Sequence, residues 1–100
     1  MISRMFVVYD SKAEAYLMPH FAPTVGLAMR SWEVSVNSSE TQFGKFPSDF
    51  TLFEIGTYDD STGTVKMHDA KINLGLALDV LKKSDGQLPL LDNVSQMKKG

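Results

Sequence analysis

The chain contains no cysteine, which excludes disulfides, thiolate nucleophiles and cysteine-ligated zinc and suits a reducing compartment. It has only two histidines, His20 and His68, and neither stands at ligand spacing from another imidazole. Asp69 beside His68 does not complete a ligand set, so both imidazoles read as exposed or turn residues. The run Asp59-Asp60-Ser61-Thr62-Gly63 lacks the spacing and the terminal Glu of a calcium loop. There is no Gly-rich phosphate loop, and no Ser, His and Asp in a nucleophile context. The sequence therefore points away from an enzyme: no catalytic, cofactor-binding or metal-binding residue is expected. Apolar runs never approach the roughly 20 residues of a membrane span, and the first residues do not form a charged segment followed by an apolar one. The expectation is a protein that is neither secreted nor membrane-embedded.

An excess of positive charge is also missing. The formal net charge is -2 and the pI near 5.5, which argues against a surface that grips nucleic acid all round, because phosphate neutralisation uses clustered Lys and Arg. A local patch remains compatible with this balance. Lys82-Lys83 and Lys98-Lys99 are the only paired cations, and they suit a helix C-terminus and a solvated tail.

What the chain does have is 43% hydrophobic residues, with six Phe, three Tyr and one Trp in 100 positions. One small folded domain follows. Aromatic and β-branched residues cluster in RMFVVYD at 4–10, a turn follows in DSKAE, and AYLM at 15–18 returns as the second strand of a hairpin. Pro19 ends that strand. Thr24 is a good N-cap, and Val25, Ala28, Met29, Trp32 and Val36 recur at helical spacing, predicting a helix over 24–36. Asn, Ser, Gly and Pro punctuate 37–50 as a loop.

The second half restates this order. TLFEIGTYD at 51–59 alternates as a strand, DSTG turns, and TVKMHD returns. Asn73 then reads as the cap of a helix over 73–83 with the stripe Leu74, Ala77, Leu78 and Leu81. Laid over each other with Thr24 on Asn73, the halves match Tyr9-Asp10 with Tyr58-Asp59, Met18 with Met67, and Gly26-Leu27-Ala28 with Gly75-Leu76-Ala77. The prediction is an α+β domain over 1–84 made of two ββα repeats, about 4–36 and 51–83. They would form a four-stranded antiparallel sheet with two helices on one face. The recurrent Gly predicts close approach of each helix start to another backbone. Residues 85–100 read as a mobile or partner-dependent C-terminal tail.

Two surfaces stand out as sites. FGKFPSDF interleaves Phe43, Phe46 and Phe50 with Lys45, and YLMPHF adds Tyr16, His20 and Phe21; rings beside cations suit base stacking on a single strand. With Arg30, the candidate nucleic-acid-binding residues are Arg30, Lys45, Phe46, His20 and Phe50, although the same rings also suit a core. If Phe6 and Val8 face the helices, Met5, Val7 and Leu17 occupy the opposite face, and such a face calls for a homodimer interface.

Taken together, VYDSKAEAYLMPHFAPT, GLAMRSW and FGKFPSDFTLFEIGTYDDSTG resemble the small nonstructural protein of gokushovirus-type microviruses, phages with circular single-stranded DNA genomes. The resemblance covers residues 5 to about 81 and departs at Met18, where the family has proline. It implies a non-enzymatic, DNA-binding phage protein in the host bacterial cytoplasm, associated with the switch from duplex replication to single-strand production for packaging. Single-stranded or replicating viral DNA is the implied partner. The alternative is an interaction module that docks on the replication initiator or procapsid proteins, through its apolar sheet face or the LPLLDNV tail, without touching DNA.

Overall fold

The computed structural model describes residues 1–82; the predicted tail over 85–100 and the end of the predicted second helix lie outside the described residues. The order is β1 (Ile2–Asp10), β2 (Ala15–Tyr16), β3 (His20–Ala22), α1 (Val25–Val36), β4 (Phe50–Asp59), β5 (Thr64–Leu76) and α2 (Ala77–Val80). All pairings are antiparallel. The five strands form one sheet in the order β2-β1-β4-β5, with β3 also on the outer edge of β1. The fold is α+β with two short helices.

α1 forms where its cap and periodicity place it. The Leu27 amide donates to Thr24 Oγ1 at 3.1 Å, satisfying one of the free donors of the first turn. Ala28, Trp32 and Val36 are buried one turn apart. They pack on Phe6 and Val8 of β1 and on Phe50 and Leu52 of β4, with Ala77 closing the end. Phe43 lies between Trp32 and Phe50, with ring centroids at 5.1 and 4.9 Å. The loop after α1 is tied by Asn37, whose side chain donates to Val80 O at 3.0 Å and accepts from the Lys82 amide at 2.8 Å.

Three expectations are corrected. The strand at 15–18 shortens to Ala15–Tyr16, although the Leu17 amide still donates to Val8 O at 2.8 Å, and Pro19 is followed by an unforeseen strand, β3. The helix expected from Asn73 does not start there: residues 73–76 continue β5, and only Ala77–Val80 are helical. The Asn73 side chain accepts from the Gly75 amide at 2.8 Å, which turns the strand locally rather than capping a helix. The two glycines are consequently not equivalent. Gly75 has φ +115° inside a strand irregularity, whereas a Cβ at Gly26 would meet only Thr24 Oγ1 at 3.9 Å. The second ββα unit thus lacks the helix that the repeat required, and the start of α1 makes no close backbone approach at Gly26.

Candidate functional site

Pairing register sorts the side chains of a sheet between its two faces. Phe6 lies opposite His20 on one side and Glu54 on the other, and Val8 lies opposite Leu52; these share the helix face. Between them, Met5 lies opposite Phe21, Val7 opposite Phe53, and Tyr9 opposite both Tyr16 and Thr51. Among the described residues no helix packs on that second face. It carries two ring groups: Tyr16 with Tyr9 (4.8 Å) and Phe53 (6.4 Å), and Phe21 with Tyr58 (5.8 Å). Lys71 Nζ sits 5.4 Å from the Tyr16 ring centroid, within cation–π range. Phe21 and Tyr16 are about half exposed, at 51% and 47%.

Lys71 reaches Tyr16 because β5 bulges. Glu54 pairs with Ile72 and Gly56 with Met67, so His68–Lys71 lie opposite Ile55 alone and arch away from the ladder. A hollow of about 420 Å³ opens there, between the bulge and Val7, Tyr16 and Leu17.

On the helix face the bulge has a second effect. Glu54 is 1% exposed, yet its carboxylate has partners: Oε2 is 2.7 Å from His68 Nε2 and 3.1 Å from Arg4 Nη1, which also reaches Oε1 at 3.3 Å. A buried carboxylate requires such charge-assisted bonds. His68 is therefore not an ordinary exposed or turn histidine but a half-buried partner of Glu54. Sequence reasoning missed this trio, because Glu54 looks like any polar position of an alternating strand. Among the described residues no group of three or more His, Cys, Asp or Glu is placed to hold a metal ion, and no helix is long and apolar enough to cross a membrane.

The residues expected to bind nucleic acid are dispersed. Phe50 is buried in the core against Phe43, where no base can reach its face. His20 lies on Phe6 with ring centroids 5.7 Å apart, and the resulting desolvation pushes its imidazole below the ordinary 6.5. It lines a smaller hollow, about 210 Å³, with Ser31, Ser35 and Trp32 of α1; the buried Trp32 Nε1 donor has no protein partner among the described residues. Arg30, Lys45 and Phe46 are exposed, but Phe46 lines a hollow with Asp10, Asp49 and Lys12, where two carboxylates outnumber the one cation. Of the expected interface residues, Met5 and Val7 are each only 6% exposed, while Leu17 is 40% exposed. The chain itself covers the first two.

The family model described as Phage ORF5 protein matches residues 3–80. The chain belongs to this family. The matched span takes in nearly all of the sheet, α1 and α2, so both faces described above lie within the Phage ORF5 protein unit. No curated protein and no solved structure matches the chain. The aromatic face was legible in part, since Tyr9 and Tyr16 stand in predicted strand segments, whereas Phe21 lies in the unforeseen β3. Its cation was not, because the bulge that carries Lys71 over Tyr16 is a matter of register.

Proposed function

We propose that the chain is a non-enzymatic, single-stranded DNA-binding protein of a gokushovirus-type microvirus. On this reading it acts in the host bacterial cytoplasm where duplex replication gives way to single-strand production for packaging. The observation that carries the reading is the face opposite α1, where five rings stand in two groups with Lys71 over one of them. Base stacking on such rings contributes about 1–3 kcal/mol per base and tolerates any sequence. It also suits a chain with net charge -2, because stacking asks for few phosphate contacts. A homodimer formed through the exposed edge at Leu17 and Met18, 40% and 85% exposed, would set two ring faces side by side.

Fluorescence anisotropy with a labelled oligothymidylate tests this reading. Tyr16→Ala is expected to weaken binding about tenfold, the equivalent of one lost stacking partner, while Tyr16→Phe retains it. The slope of log affinity against log salt is expected to be shallow, since few cations are engaged. If Lys45→Ala and Phe46→Ala weaken binding and Tyr16→Ala does not, the helix-loop surface carries the DNA and the sheet-face assignment is wrong. If the wild-type protein binds no oligonucleotide at low salt, the interaction-module alternative replaces it.

A further inference from the structure

The hollow over Ile55 adjoins the rings on which the proposed function rests and forms a half-open recess beside them. The arch His68–Lys71 stands over a single residue of β4 and bounds about 420 Å³, a volume within the range of small-ligand sites. Val7, Ile55 and Leu17 give it apolar walls, and Tyr16 an aromatic one. Two charged side chains line the arch: Lys71 lies over the Tyr16 ring, and Asp69 is the one carboxylate lining the hollow among the described residues. His68 differs, being engaged with Glu54 on the other face.

We infer that this hollow receives the base of one nucleotide of the bound strand and that Asp69 makes it prefer guanine. The inference rests on the single-strand-binding reading above and adds a specificity to it. A base entering beside Tyr16 takes the ring face that Lys71 covers, and Lys71, displaced to the rim, meets the adjoining phosphate. Asp69 then faces the base edge. An ionised carboxylate only accepts hydrogen bonds. Guanine offers it two donors side by side, the ring N1–H and the exocyclic amino group, which match the two carboxylate oxygens. Adenine and cytosine offer one amino group next to an acceptor nitrogen. Thymine offers one N–H flanked by two carbonyl oxygens, which a carboxylate repels.

The test is anisotropy on an oligothymidylate in which one central residue is replaced by dG, dI, dC or dA. The dG strand is expected to bind roughly tenfold tighter than all-thymine, the discrimination typical of a bidentate base contact. Inosine, which lacks the exocyclic amino group, should fall between them. Asp69→Asn is expected to abolish the dG preference, because the neutral amide no longer repels the thymine carbonyls and affinity for all-thymine rises toward that for the dG strand. Equal affinity for dG and all-thymine strands overturns the inference and leaves the single-strand-binding reading standing. A dG preference that survives in Asp69→Asn also overturns it. Absence of binding to every strand overturns both.

Discussion

Replacing Arg4 by Met keeps the alkyl stem and removes the guanidinium from a carboxylate that has almost no access to water. Arg4 Nη1 lies 3.1 and 3.3 Å from the two Glu54 oxygens, and the side-chain exposures are 45% for Arg4 and 2% for Glu54. Hydrogen bonds to a charged group contribute about 1.5–3 kcal/mol. Solvent at the half-exposed guanidinium screens the pair, and His68 stays on Oε2, so the lower end applies, about 1.5 kcal/mol. For a domain of this size such a loss lowers Tm by roughly 6–12 °C. Thermal melts followed by far-UV circular dichroism and by the fluorescence of Trp32 would measure it. Glu54→Gln, alone and combined with Arg4→Met, completes a double-mutant cycle with an expected coupling of about 1 kcal/mol. A Tm change under about 2 °C, well below the shift expected for even 1 kcal/mol, together with zero coupling, would show that His68 alone satisfies Glu54.

Two further changes probe the frame and its acid response. A Cβ on Gly56 would stand 2.4 Å from Lys66 O and 3.1 Å from Met67 Cα; because both are backbone, β4 and β5 must move apart. Gly56→Ala is therefore expected to cost at least about 1–3 kcal/mol in urea denaturation, and an unchanged midpoint would contradict the register at the bulge. Desolvation against Phe6 lowers the His20 pKa from 6.5, so the unfolded chain binds the proton more readily than the folded one. Stability is then complete above about pH 6.5 and declines as the pH falls toward the folded pKa. His20→Phe should flatten that decline relative to wild type, and identical pH profiles would refute the desolvation.

α1 was legible because three levels agreed: Thr24 caps it, Val25 to Val36 repeat at its period, and its buried stripe meets β1 and β4. β4 was legible by alternation. The end of β5 was not, because Leu74, Ala77, Leu78 and Leu81 fit a helix stripe equally well. What decides the matter is Gly75 at φ +115° and its pairing with Leu52, which tertiary context selects. The sites divide in the same way. Tyr9, Tyr16 and Phe21 could be placed in or beside strands from their residue types, whereas the Glu54 trio and the Lys71–Tyr16 contact depend on how many residues bulge, and a slip of one position would exchange the faces. Phe50, read as a possible stacking ring, entered the core because Phe43 and Trp32 close around it.

The two central strands are far apart along the chain: Ile2 pairs with Asp59 and Asp10 with Phe50. During synthesis, β1 and α1 leave the ribosome with Phe6, Val8 and Trp32 lacking the sheet partner that buries them, and no rearrangement of the first half can supply Leu52. The core closes only once β4 has emerged. Folding is therefore gated by translation of the second half, and a loop closure of this span places the chain among slower-folding topologies. A nascent chain stalled before Phe50 would present an apolar strand and helix to chaperones, so the yield of folded protein depends on uninterrupted elongation as well as on final stability.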